Sequence, residues 1–215
     1  MNTLSIPYLP DLERMTEEVL VSTLGKEGAF GKIDNAPWPE FPYRPEASFR
    51  VAVSQEYLFI KFNVKGLGLK AEFTETNQPV WQDSCVEFFV ADPDGCAYHN
   101  FEINCIGTLL SARQSAKGVD VTPISEEDAG KIIRITSLER EKFSEKEGEF
   151  EWSVTAGIPW RLMGYEACPE IIRANFYKCA DGSSRPHYLC WSPIETPEPD
   201  FHRPEYFGEL KIETP

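Results

Sequence analysis

Apolar and polar residues alternate with a period of two over much of this sequence, the pattern of strands with one buried face. The clearest pair is Ser48–Ser54 and Tyr57–Lys65. Phe49, Val51 and Val53 alternate in one arm, and Leu58, Ile60, Phe62 and Val64 in the other, about a turn at Gln55-Glu56. Gly66 and Gly68 are expected to end that run. A second pair, Cys85–Ala91 and Ala97–Cys105, flanks Asp92-Pro93-Asp94-Gly95. Proline pre-sets φ, aspartate bonds its own backbone and glycine accepts positive φ, so this stretch predicts a hairpin. A third strand, Thr108–Arg113, follows the break at Gly107.

Further strands are expected at Lys32–Asn35, Ile132–Leu138, Phe150–Ile158, Ile171–Cys179, Tyr188–Ser192 and Tyr206–Glu213. The charge run Glu139–Glu149 reads as a solvated loop. Asp11–Leu24 reads as a short amphipathic helix, capped by Asp11, with Met15, Val19 and Leu20 on its apolar stripe. Pro159–Met163 reads as one helical turn with proline at its start. About ten short strands and few helices predict an all-β, antiparallel sandwich of immunoglobulin-like or jelly-roll type. No composition break divides the chain. Residues 1–28 are read as an N-terminal extension and helix, and 29–215 as the sandwich.

Composition narrows the partners. The net charge is −14, which repels nucleic acid and anionic membranes. No apolar stretch is long enough to cross a bilayer. Neither partner class is therefore expected. The six cysteines include no C-x-x-C and no zinc-type Cys–His spacing. Cys85 and Cys105 fall inside strands, as ordinary buried thiols do. Met1 leads into Pro7 and Pro10 without a basic flank or an apolar core. With Met1 native the expected location is cytoplasmic and the thiols reduced; with a leader removed it is secreted or periplasmic.

Candidate chemistry centres on the second hairpin. Glu87 alternates out of phase with Val86 and Phe88, and Glu102 with Phe101 and Ile103. With the turn centred between Asp94 and Gly95, the two carboxylates lie directly opposite each other. Like charges across a ladder are destabilising, so something should neutralise the pair: a cation, a polar ligand, Arg113, Arg173 or open solvent. Trp81 stands just ahead of the hairpin. An indole beside carboxylates suits a pyranose, whose axial C–H groups rest on the ring face while its hydroxyls need acceptors and donors.

The motif W-x-D-S-x-V-E-F-F-V at Trp81–Val90, then F-E-I-N-x-x-G-T at Phe101–Thr108, resembles the family 9 carbohydrate-binding modules and their DOMON-like β-sandwich relatives. R-A-N-F-Y-K, C-W-S-P and F-H-R-P-E-Y-F-G-E-L resemble that family's closing strands. The resemblance implies non-catalytic binding of a glucose- or xylose-type sugar or a polysaccharide chain end. It implies a sugar held between Trp81 and Trp191, with Asp83 in the motif and Glu87 as the acidic hydroxyl binder. Better-known members have arginine where this chain has Glu102, so Arg113 or Arg173 would have to supply the donor. The family often carries structural calcium. Asp83, Asp92 and Asp94 are the turn carboxylates that would offer it oxygen; no other cofactor is implied. The rival reading is a glycan-processing enzyme or accessory subunit using Glu87 and Glu102, since paired carboxyls cleave glycosidic bonds. No G-x-S-x-G, H-E-x-x-H or glycine-rich phosphate loop is present.

Overall fold

Phe49, Val51, Val53, Leu58, Ile60, Phe62 and Val64 are all buried, so the alternation that predicts the first hairpin also fixes which face of it turns inward. In the computed structural model, which describes residues 1–213, the elements run in chain order as follows. They are β1 (Thr3–Ile6), α1 (Glu17–Glu27), β2 (Ala29–Lys32), β3 (Glu46–Val53), β4 (Tyr57–Ala71), β5 (Cys85–Ala91), β6 (Tyr98–Asn104) and β7 (Leu109–Gln114). There follow β8 (Thr122–Pro123), α2 (Glu126–Ala129), β9 (Ile133–Thr136), β10 (Phe143–Pro159), β11 (Ile171–Cys179), β12 (Tyr188–Cys190) and β13 (Gly208–Ile212). The last two residues of the expected sandwich lie outside the described residues.

Two sheets face each other. One has the order β2-β3-β4-β10-β9; the other runs β1-β13-β11-β5-β6-β7-β8, with β12 also on β11. Among the described strands every pairing is antiparallel except β1 with β13. The inner faces meet on stacked aromatics: Phe49 lies 3.7 Å from Phe176, centroid to centroid, and Phe88 lies 5.1 Å from Phe176. This is the all-β sandwich the alternation predicts. The four-residue β1, parallel to β13, forms one edge of the second sheet, and so short an edge strand presents few free backbone groups.

Each sheet's outer face carries a second apolar layer. On the first sheet, Ala52 and Phe59 are covered by Leu12, Leu20 and Leu24. Leu20 and Leu24, four apart, form the buried stripe of α1. Val19 is exposed, and the helix is capped by Thr16, whose hydroxyl accepts from Val19 N, not by Asp11. Asp11 instead takes a left-handed conformation before a 3-10 turn at Leu12–Arg14. The stripe therefore starts later than the sequence pattern suggests. On the second sheet, Cys85, Phe89, Tyr98, Tyr177 and Cys179 lie beneath Trp38, Phe201 and Phe207 from loops.

Two further expectations are corrected. Gly66 and Gly68 do not end β4, which continues to Ala71. Gly68 takes φ 83°, and the β4–β10 register shifts between Lys146 and Glu149, so an irregularity absorbs the glycine while pairing resumes beyond it. For the same reason much of the charge run is strand: β10 begins at Phe143, opposite Ala71.

Candidate functional site

On the outer face of the second sheet, the apolar layer gives way to a cleft of about 460 Å³. Its floor comes from strand alternation. Val86 and Phe88 point into the core, so Glu87 points out; Asn100 and Glu102 of β6, Leu110 and Gln114 of β7, and Cys179 of β11 share that outer face. Its rim comes from loops. Trp81 sits on the 3-10 turn Val80–Gln82, and its carbonyl accepts from Asp181 N at 3.0 Å. Tyr188, Phe201 and His202 stand on other parts of the rim, and Lys117 meets Asp200 at 3.1 Å.

Glu87 and Glu102 are register partners. They are 3% and 4% exposed, so they are not the open solvated pair that one reading of the sequence allows. Cys179 Sγ donates to Glu87 Oε1 at 2.9 Å, and Asn100 Nδ2 donates to Glu102 Oε1 at 3.0 Å. Glu102 Oε2 has no hydrogen-bond partner among the described residues. Burial lifts the Glu102 carboxyl to about 8. Burial, and then the neighbouring Glu102 charge, lift Glu87 well above the usual carboxylate range. Asp181, also at the cleft, is raised by burial to about 6. A polar string runs sideways from Glu102. Asn100 Oδ1 accepts from Gln114 Nε2 at 3.1 Å, Gln114 lies 3.3 Å from His202 Nδ1, and Tyr98 Oη lies 2.9 Å from the same nitrogen. Burial lowers His202 to about 4, so it is neutral at ordinary pH.

The structure gathers Trp81, Glu87 and Glu102 and sends the other sequence candidates elsewhere. Trp191 is 6% exposed and lies between the sheets, edge-on to Phe49 and Phe176. A Cβ at Gly208 would come 2.5 Å from its ring. It does not face Trp81 across a slot, because it follows β12 on the inward side of the sheet. Asp83 is fully buried, and its carboxylate accepts from the backbone of Glu72 and Phe73 and from Asn104 Nδ2. Arg113 alternates to the inner side of β7, where its Nε donates to Asp92 Oδ2 at 2.8 Å. Arg173 lies on the outer face but toward the far end of β11, bonded to the Pro204 carbonyl. Neither arginine lines the cleft.

The calcium candidates do not converge either. Asp83 and Asp92 flank opposite ends of β5; Asp92 is held by Arg113 and His99, and Asp94 accepts from Cys96 N. Sequence reasoning missed Asn100, Gln114, Tyr188, Phe201 and His202. Asn100 was within reach, two residues from Glu102 on one strand face. Phe201 and His202 were not, because a long loop brings them in, and Tyr188 reaches the rim from the short β12.

The fold and site together define a β-sandwich module with a polar, aromatic-rimmed cleft on one outer sheet face. The chain belongs to carbohydrate-binding family 9, whose model matches residues 18–212. A Bacteroides uniformis ATCC 8492 protein, described as a candidate carbohydrate-binding protein, is similar at 34% identity and a TM-score of 0.92, with 99% of each chain covered. A family 9 module from Caldicellulosiruptor kristjanssonii, solved with cellotriose, is similar in fold at 14% identity and a TM-score of 0.56, covering 99% of this chain and 94% of that one. The same description with glucose gives 14% identity and a TM-score of 0.55, with 99% and 96% covered. No curated protein matches the chain.

Proposed function

We propose that this protein binds a glucose- or xylose-type sugar, or the end of a chain of them, in the cleft above Glu87 and Glu102 without cleaving it. The observation that carries the reading is the junction of a partly buried Trp81 with a buried pair of acceptors in one cleft. Its volume of about 460 Å³ falls in the small-molecule range. The indole offers a face for the axial C–H groups, while Glu87, Glu102, Asn100 and Gln114 offer acceptors and amide donors for the hydroxyls. Tyr188 and Phe201 supply the aromatic surface that Trp191 does not. One indole face covering roughly 50 Å² yields about 1.3 kcal/mol. Micromolar binding needs about 8 kcal/mol, so polar contacts must supply most of it.

The rival enzymatic reading is served poorly. Glu87 and Glu102 stand side by side on adjacent strands, both on the floor of the cleft. Hydrolysis needs two carboxyls that flank the scissile bond. Calorimetry with glucose, xylose and their β-linked oligomers tests the proposal. Saturable binding that weakens in Glu87→Gln supports it. No heat with any of these at millimolar concentration overturns it, as does release of reducing ends that Glu87→Gln abolishes.

A further inference from the structure

Beside the carboxylate pair lie two thiols that sugar binding does not require. Cys85 and Cys179 are direct register partners on β5 and β11, and Glu87 is two residues along β5 on the same outer face. The two thiol sulfurs and a Glu87 oxygen all lie within 4.8 Å of one another, and all three residues are buried. Both thiols are free. Glu102, across from Glu87, holds a buried carboxylate oxygen with no partner.

Among the described residues, no lysine or arginine is bonded to these four side chains; Lys117, which also lines the cleft, pairs with Asp200. Lys178, between the strands' inner faces, directs its ammonium to the Cys179 carbonyl and over the Trp152 ring, on the core side of the sheet. Arg113 and Arg173 are occupied elsewhere. Asp181 adds a further acid at the cleft. Two thiols and two carboxyls buried together form a donor set that a cation fits.

We infer that Cys85, Cys179 and Glu87, completed by Glu102, bind a thiophilic divalent cation of the zinc type at the floor of the cleft. The donor set selects the metal. Thiolates prefer Zn²⁺ or Cd²⁺, whereas Ca²⁺ and Mg²⁺ take oxygen alone. The spacing is close to what is needed: two ligands on one tetrahedral zinc lie about 3.5–3.8 Å apart, so small side-chain rotations bring the three atoms in. Binding one cation displaces both thiol protons, and any proton on the carboxyls, to solvent. Entry is through the cleft, which Cys179, Glu87 and Glu102 line. The sequence shows no zinc motif because the two sulfurs come from strands far apart in the chain.

The test uses the full chain, reduced with a phosphine, freed of metal with chelator, and carrying Cys96→Ser and Cys168→Ser to silence the two thiols outside the buried set. Cd²⁺ is titrated while the ultraviolet sulfur-to-cadmium charge-transfer band and the thermal midpoint are followed. The expected result is a band that saturates at one Cd²⁺ per chain with a rise in midpoint, and that Cys179→Ser abolishes. Glu87→Gln keeps both sulfurs and weakens Cd²⁺ by about tenfold or more; it decides the matter if Cys179→Ser fails to fold. Absence of the band in the parent overturns the inference. So does an undiminished Cd²⁺ affinity in Glu87→Gln, or an equal rise in midpoint with Ca²⁺.

Discussion

Glu87 and Glu102 face each other across the β5–β6 ladder with almost no exposure and no arginine or lysine between them. The pair is therefore a source of instability in the empty protein. Folded Glu102 keeps its proton up to about 8, against a reference value of 4.5. Between those values the folded state binds more protons than the unfolded chain, so stability falls as pH rises. The contribution is whole below about 4.5 and lost above about 8. In chelator-treated protein, melting temperature is expected to drop from pH 5 to pH 8. Glu102→Gln should flatten that slope and add at least about 1 kcal/mol at pH 8, the worth of roughly one pKa unit. Melts of both proteins at several pH values check it; parallel slopes would place the pH dependence elsewhere.

The two tryptophans should behave differently. Trp81 is partly buried on the cleft rim, whereas Trp191 fills the core against Phe49 and Phe176. Trp81→Ala is expected to weaken sugar binding about tenfold, the loss of roughly 1.4 kcal/mol of stacking, with little change in melting. Trp191→Ala should cost about 3–5 kcal/mol of stability through the cavity it leaves. Denaturant curves and calorimetry on the two variants separate these effects. A stable Trp191→Ala that has lost sugar binding would reverse the assignment.

How far the sequence reached depends on the range of the contacts. Period-two alternation is local, so the hairpins Ser48–Lys65 and Cys85–Cys105 and the pairing of Glu87 with Glu102 follow from neighbouring residues alone. Trp191 shows where that logic stops. Its motif resembles a ligand-binding segment, but whether an indole at the end of a three-residue strand turns in or out depends on what packs there, and Gly208 opens the space inside. The depth at which Glu87 is buried was also hidden, because loops from residues 193–204 cover that face. Glycine read as a strand breaker failed at Gly66 and Gly68 since the long partner β10 held the pairing through the irregularity.

Asp83 is expected to be structural. Its carboxylate accepts three hydrogen bonds, two from backbone amides just past β4 and one from Asn104 at the end of β6. It thereby ties the end of β4 in the first sheet to the strands that carry the cleft floor. Asp83→Ala leaves those buried donors unpaired and should cost about 2–4 kcal/mol. Asp83→Asn, which keeps one acceptor oxygen, should cost less. Urea unfolding of the two variants checks the order; equal stability of Asp83→Ala and the parent would contradict it.

Arg113 and Arg173 provide the last prediction, since the resemblance alone would place one of them on the sugar. Arg113 is half-exposed and bonded to Asp92, which is itself buried and also lies 3.1 Å from His99 Nε2. Removing the guanidinium leaves Asp92 with only that imidazole, whose protonation burial opposes. Arg113→Ala should therefore destabilise by about 1–2 kcal/mol, the range for one charge-assisted hydrogen bond at a partly exposed site. Arg173→Ala loses a bond to the Pro204 carbonyl at the surface and should cost less than about 1 kcal/mol. Neither side chain lines the cleft, so sugar affinity should stay within about twofold of the parent in both variants, less than 0.5 kcal/mol. Calorimetry alongside thermal melts measures both quantities. A tenfold loss of affinity in Arg173→Ala with an unchanged melt would mean that the bound sugar extends along β11 beyond the cleft.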